Sequence, residues 1–118
     1  MDIVFIRELK IQTVIGVFEW EQAIRQPIVL DLEMGADIAQ AAATDDLAHA
    51  LNYKAVADRL TQFLGEGRFK LVETLAEAVA TILQDEFGVQ WLRLRVSKPG
   101  ALRSALDVGV VIERGKRG

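Results

Sequence analysis

The sequence of 118 residues contains no cysteine and only one histidine, His49. Without thiols the chain can form neither disulfides nor thiolate metal sites. A protein zinc site normally gathers several His, Cys or carboxylate ligands, so a single histidine argues strongly against catalytic zinc. We therefore expect no metal site, and we assign His49 a structural or surface role.

The chain also lacks an excess of basic residues and a long apolar run. Its formal charge of −3 argues against a nucleic-acid surface, which would carry clustered Lys and Arg. The only basic cluster is the tail Arg114–Gly118, which we expect to be a solvated end. No run approaches the ~20 apolar residues of a membrane span, and Asp2 stands where a signal peptide needs basic residues. These features predict a cytoplasmic protein that binds neither nucleic acid nor membranes.

Apolar residues make up 51% of the sequence and are spread along its whole length, as expected of one domain over residues 1–118. Period-2 alternation predicts four strands, and apolar spacings of three and four residues predict two helices. An alanine-rich stretch over residues 35–51 predicts short helical turns. In chain order the main elements are a strand over residues 2–15, a strand over Ile28–Met34, a helix from the N-cap Asn52 to Gly65 and Gly67, a helix from about Leu71 to Phe87, and strands over Trp91–Lys98 and Val108–Glu113.

The order strand-strand-helix-helix-strand-strand predicts an α+β fold with one antiparallel sheet and both helices on a single face. The opposite face of the sheet also has apolar candidates, namely Val4, Val29, Trp91 and Val111. Because no helices remain to cover that face, we expect other copies of the chain to cover it. The sequence therefore predicts a homo-oligomer.

Lys98 occupies an unusual position at the end of a predicted strand. Alternation places it on the face of Leu92, Leu94 and Val96, and Pro99 stops the strand immediately afterwards. Burial disfavours the charged form of a lysine, so an ammonium group is unexpected on this face unless a pocket opens at the margin of the sheet. A lysine in that environment could exchange protons or act as a Schiff-base nucleophile. The alternative is a strand-end lysine that extends its ammonium group into water.

Several segments together carry a resemblance that covers essentially the full length of the chain. In order and spacing the chain resembles dihydroneopterin aldolase, an enzyme of folate biosynthesis. The segments are Gly16 to Glu21, Leu51-Asn52-Tyr53, Phe69-Lys70-Leu71-Val72-Glu73, Ser97-Lys98-Pro99-Gly100 and Val108 to Arg114. The resemblance implies the tunnelling fold, in which sheets of several subunits join into a barrel, as a tetramer or octamer with active sites at subunit boundaries. It also implies retro-aldol cleavage of 7,8-dihydroneopterin, often with epimerisation at C2′, and neither a metal, another cofactor nor a Schiff base.

The resemblance also implies roles for five residues. Lys98 is the general acid/base, Glu73 accepts the N3–H and 2-amino hydrogen bonds of the pterin, and the Val72 backbone adds a hydrogen bond beside it. Glu21 meets the substrate side-chain hydroxyls or an ordered water, and Tyr53 reaches the pterin across a subunit boundary. Each carboxylate and the tyrosine also has a structural alternative. Glu73 would stabilise the first turn of its helix by roughly 0.3–1 kcal/mol, Glu21 would be an exposed loop acid, and Tyr53 would face the core.

Two other functions remain open at this point. The first is dihydroneopterin triphosphate 2′-epimerase, a sister enzyme in which a histidine tends to stand at the position of Gly100. The stretch Ala101-Leu102-Arg103 resembles the epimerase loop, and Arg103 is a candidate for binding phosphate. The second is a non-catalytic oligomeric protein that binds pterins or purines.

Overall fold

The computed structural model describes residues 1–117. Each predicted strand and helix is present, and every boundary lies within two residues of the predicted one. The predicted helical turns between the second strand and the long helices are also confirmed. The elements are β1 Asp2–Ile15, α1 Glu19–Gln22, β2 Gln26–Ala36, α2 Ala39–Thr44, a 3₁₀ turn Leu47–His49, α3 Tyr53–Glu66, β3 Arg68–Phe69, α4 Val72–Phe87, β4 Trp91–Pro99 and β5 Asp107–Gly115.

The strands form one sheet in the order β3-β1-β2-β4-β5. The pairs β1–β2, β2–β4 and β4–β5 are antiparallel, which confirms the predicted α+β architecture. The sequence did not predict β3, whose two residues pair in parallel with Val14 and Ile15 at the end of β1. Two residues are too few for a period-2 pattern, so the pairing depends on tertiary contacts.

The core lies between one face of the sheet and the helices α3 and α4. The alternating residues of β2 that point towards it, from Ile28 to Met34, are at most 1% exposed. Asn52 Oδ1 accepts a hydrogen bond from the Ala55 backbone N–H at 3.1 Å, which confirms Asn52 as the N-cap of α3. Helix α4 ends at Gly88, which has a left-handed φ of 64°. The predicted apolar stripes therefore pack both long helices against the same side of the sheet.

The opposite face of the sheet differs in two places from the prediction. Val4 pairs with Met34 and packs against the core, so placing it on the opposite face was wrong. The register of β1 shifts between Ile6 and Leu9, which keeps alternate residues on the core side after the irregularity. Apolar side chains are nevertheless present on the opposite face, where Phe5 is 62% exposed.

Trp91 is the second difference, because the chain covers it without a partner. It is 2% exposed, its Nε1 donates to Glu113 Oε1 at 2.7 Å, and the Arg117 guanidinium lies 4.7 Å from its ring centroid. Part of the basic tail therefore packs on the sheet rather than being a solvated end, and Gly118 lies outside the described residues.

Within residues 1–117, no helix combines the length and hydropathy needed to cross a membrane.

Candidate active site

Lys98 lies at the end of β4, next to Pro99, on the side of the sheet that carries Leu94 and Val96. Its side chain is only 14% exposed, and its Nζ lies 2.6 Å from Glu21 Oε2. The alternative of a lysine extended into water is therefore wrong. The ammonium group is held inside the protein by a carboxylate from a distant part of the chain.

Glu21 occupies the one-turn helix α1 and is 6% exposed, so it is not an exposed loop acid. Its Oε2 accepts hydrogen bonds from Lys98 and, at 3.1 Å, from Gln26 Nε2. Its Oε1 accepts from the Phe18 backbone N–H at 3.3 Å. The hydrogen bond from Lys98, followed by that from Gln26, lowers the pKa of the Glu21 carboxyl below its ordinary value, in spite of desolvation. Glu21 is thus kept ionised beside the lysine.

Gly16 makes room for this carboxylate. It ends β1 with a φ of 140°, and a Cβ at this position would overlap the Glu21 carboxylate. Sequence reasoning gave Gly16 only the role of ending the strand. The contact explains why a residue without a side chain is needed between β1 and α1.

Gln26 is a site residue that sequence reasoning missed. Its Nε2 donates to Glu21 Oε2 and also, at 2.8 Å, to the Ile15 backbone carbonyl. The amide therefore fixes the Glu21 carboxylate relative to the end of β1. The sequence around Gln26 and Pro27 indicates only the start of a strand, so no local signal identifies this contact.

The residues predicted to bind the ring lie at the starts of the two long helices. Tyr53 is the first residue of α3 and is 63% exposed, so the alternative of a core-facing tyrosine is wrong. Val72 and Glu73 begin α4, and Glu73 is exposed in its first turn. The structure thus brings Lys98 and Glu21 into direct contact and leaves Tyr53 and Glu73 exposed at the starts of their helices, whereas Val72 is partly buried against the core.

Two large grooves lie away from these residues. One, of about 740 Å³, is lined by the opposite face of the sheet, including Phe5, Asp31 and Arg95. The other, of about 760 Å³, lies beside the 3₁₀ turn and includes His49, which is exposed. Neither groove contains any of the five predicted site residues. Among residues 1–117, no group of three or more His, Cys, Asp or Glu side chains is placed to hold a metal ion.

A buried lysine–carboxylate pair at a strand end of a helix-covered sheet makes these two residues candidates for proton transfer on a small molecule. Comparison with known proteins defines the class further. The chain belongs to the dihydroneopterin aldolase family, whose model it matches over residues 4–113. This confirms the resemblance that the sequence motifs indicated.

The relatives cover nearly the whole chain. The dihydroneopterin aldolase of Escherichia coli K12 is 48% identical over 115 residues, which are 98% of this chain and 94% of that protein. The crystal structure of the Escherichia coli enzyme in complex with neopterin has a TM-score of 0.95, with 98% of this chain and 100% of that chain covered. The Haemophilus influenzae enzyme is 44% identical, with 98% of both chains covered. The dihydroneopterin triphosphate 2′-epimerase of Escherichia coli is also similar, at 31% identity, with 93% of this chain and 92% of that protein covered.

Proposed function

We propose that this protein cleaves 7,8-dihydroneopterin by a retro-aldol reaction to 6-hydroxymethyl-7,8-dihydropterin and glycolaldehyde, as a step of folate biosynthesis. Epimerisation at C2′ accompanies the cleavage. The observation that carries the proposal is the buried contact of 2.6 Å between Lys98 Nζ and Glu21 Oε2, inside a fold shared with this enzyme family. We propose that residues 1–118 form one domain. The cytoplasmic location of the protein stays a prediction.

The reaction needs a proton shuttle more than any other catalytic group. Breaking the C1′–C2′ bond requires loss of the 2′-hydroxyl proton and leaves an electron pair on C1′, which the N5=C6 imine of the pterin accepts. Lys98 acts from its neutral amine form: the amine takes up the hydroxyl proton to become an ammonium group, which then returns a proton to C1′ and restores the amine. Glu21, held ionised, orients the Lys98 amine and accepts a hydrogen bond from a substrate hydroxyl.

Ring binding is assigned to the starts of α3 and α4. A pterin presents N3–H and the 2-amino group side by side, and the Glu73 carboxylate accepts both in a fork. The Val72 backbone makes a neighbouring hydrogen bond, and Tyr53 contacts the ring and relays protons. The exposure of Tyr53 and Glu73 supports this assignment, because both side chains are free of the protein core.

The proposed reaction uses neither a metal nor a Schiff base. The side chain of dihydroneopterin carries hydroxyl groups and no carbonyl, so Lys98 has no aldehyde or ketone with which to form a Schiff base before cleavage. The test is to incubate the purified protein with 7,8-dihydroneopterin, with and without a chelator, and to measure glycolaldehyde. We expect equal release of glycolaldehyde in both samples. We also expect no adduct on Lys98 when borohydride is added before glycolaldehyde accumulates. Loss of release in chelator would show that a metal takes part.

We further propose that each site is completed by a second copy of the chain, in a tetramer or octamer. Apolar side chains on the face of the sheet opposite the helices support association, with Phe5 62% and Val111 50% exposed. The test mixes two inactive variants, Tyr53→Ala and Lys98→Met, by refolding them together. If Tyr53 and Lys98 of one site come from different chains, equal mixing restores about a quarter of the sites. Activity no greater than the sum of the separate variants would contradict shared sites.

Dihydroneopterin triphosphate 2′-epimerase is the second candidate function. It is favoured by the similarity to the Escherichia coli epimerase and by Arg103, which is exposed in the loop between β4 and β5. The presence of Gly100 favours the aldolase. Product chromatography with dihydroneopterin and its triphosphate separates the two, because only the aldolase releases glycolaldehyde. A non-catalytic pterin- or purine-binding protein would bind neopterin but turn over neither compound.

A further inference from the structure

Gln22 forms hydrogen bonds to two segments of the chain, the end of β1 and the end of β3. Its side-chain Nε2 donates to the Gly16 carbonyl at 2.7 Å and to the Phe69 carbonyl at 3.0 Å. The Gly16 backbone N–H also donates to the Phe69 carbonyl at 3.0 Å, and Arg68 Nη1 donates to the Gln22 carbonyl at 2.8 Å. One amide group therefore fastens α1 to both the end of β1 and the end of β3.

These contacts lie between the two ends of the candidate site. Glu21, which contacts Lys98, precedes Gln22 in α1, whereas β3 leads after Lys70 and Leu71 into the helix that carries Glu73. The pairing of β3 with β1 is only two residues long, and Leu71 provides no side-chain cap for α4. The start of α4 thus depends on how firmly β3 is held.

We infer that Gln22 is a positioning residue, which sets the separation between the Lys98–Glu21 pair and the Glu73 carboxylate. The inference rests on the proposed function of both groups in one site. Glu21 keeps its own bonds to Lys98, Gln26 and Phe18 when Gln22 is replaced, so the acid/base end stays in place. The Phe69 ring also packs on Phe63, with ring centroids 6.1 Å apart, which gives β3 a second anchor when Gln22 is replaced. Its loss therefore acts on ring binding more than on the chemical step.

The first test is Gln22→Met, which keeps the length of the side chain and removes both donated hydrogen bonds. We expect KM for 7,8-dihydroneopterin to rise about tenfold and kcat to stay within about twofold, because one or two hydrogen bonds that hold the segment before α4 are lost while the Lys98–Glu21 pair is kept. Gln62→Met, on the exposed side of α3, is the matched control and should leave both constants unchanged. An unchanged KM in Gln22→Met, or a fall confined to kcat, would overturn the inference.

The second test asks whether Gln22 acts through Glu73. In a double-mutant cycle, adding Gln22→Met to Glu73→Ala should cause little further loss in kcat/KM, because the group being positioned is already absent. Equal losses with and without Glu73 would reduce Gln22 to a structural residue and refute the inference. If Gln22→Met does not fold, Arg68→Met removes the other link between α1 and β3, and we expect a smaller rise of about threefold in KM.

Neopterin affinity, measured by fluorescence titration, separates this inference from the proposed function. If the wild-type protein binds neopterin without turnover and Gln22→Met weakens binding, the inference survives and the proposed function fails. If the wild-type protein turns over dihydroneopterin and Gln22→Met behaves like it in both assays, the inference alone fails. Hydrogen exchange should also be faster in the segment from Phe69 to Leu75 of Gln22→Met, and unchanged protection there would count against the inference.

Discussion

The two ends of the candidate site are built differently. At one end, Lys98 and Glu21 are 14% and 7% exposed at the side chain and bond each other directly at 2.6 Å. At the other end, Tyr53 is 63% exposed, and Glu73 lies exposed in the first turn of α4. The acid/base end is completed within one chain, whereas the ring-binding end offers groups to the surface.

This difference follows from what each end has to do. A proton-transfer pair works best when its geometry is fixed before the substrate arrives, and burial with several hydrogen bonds provides that. A ring-binding group has to remain accessible, because it exchanges bonds to water for bonds to the substrate. If the two ends have these separate roles, a substitution at the acid/base end lowers kcat and a substitution at the ring-binding end raises KM. The same response at both ends would contradict this division.

The largest effect is expected at the acid/base end. Lys98→Met should lower kcat by about 10²–10⁴-fold, because the proton shuttle is lost, while neopterin affinity stays within a few-fold. The measurements are glycolaldehyde release and fluorescence titration with neopterin. Lys116→Met, an exposed lysine near the end of the chain, is the control and should be fully active. Retention of turnover in Lys98→Met would remove this lysine from the mechanism.

At the ring-binding end we expect the opposite pattern. Glu73→Ala should raise KM roughly 10²-fold, since two charge-assisted hydrogen bonds to the pterin are lost, and should change kcat less. Steady-state kinetics with 7,8-dihydroneopterin measure both constants. Glu66→Ala, an exposed carboxylate at the end of α3, serves as the control. A Glu73→Ala variant with normal KM would return Glu73 to a purely helix-stabilising role.

Replacing Gly16 should have an intermediate effect, because this residue affects both the stability of the protein and the position of the Glu21 carboxylate. Gly16→Ala should destabilise the protein by about 1–3 kcal/mol and lower turnover about tenfold, because the added Cβ displaces the Glu21 carboxylate. Gly88→Ala is the matched control, since Gly88 also has a positive φ but nothing lies within 4 Å of an added Cβ. Urea unfolding should show both variants destabilised, and only Gly16→Ala should lose activity. Equal activity of the two variants would show that Glu21 tolerates displacement.

The smallest effect concerns pH. The pKa of Glu21 is lowered in the folded protein, so the unfolded chain takes up this proton first as pH falls. The stability that Glu21 contributes is therefore present above its ordinary pKa of 4.5 and is lost as pH falls through the lowered folded value. Urea midpoints of the wild type and of Glu21→Gln should converge as pH decreases from about 6 towards 3. A difference that stays constant over this range would contradict the assignment.

The sequence predicted the main elements well because their signals are local. The period of β2, the N-cap Asn52 and the left-handed Gly88 each depend on a few neighbouring residues. It failed where the signal is not local. Trp91 was placed on an uncovered face, because nothing in its own strand indicates that Glu113 and Arg117 cover it.

The site was predicted in part for the same reason. Motif order identified Lys98, Glu21 and Glu73 as candidates, since the resemblance depends on residue types and spacing. Motif order did not indicate which of these three side chains are in contact with one another. Lys98 and Glu21 are 77 residues apart in the chain, and the two glutamines that hold α1 in place carry no local pattern of function.

By itself, the sequence determined the strands, the long helices, the fold class and the family, because hydrophobic period, capping residues and motif order are properties of the chain alone. Only the tertiary structure decided that Glu21 turns inward to Lys98 and that β3 joins the edge of the sheet. It also decided that the Gln22 amide donates hydrogen bonds to both the Gly16 and the Phe69 carbonyls. Those outcomes depend on packing between distant segments, where burial makes a specific partner necessary for each charged or polar group.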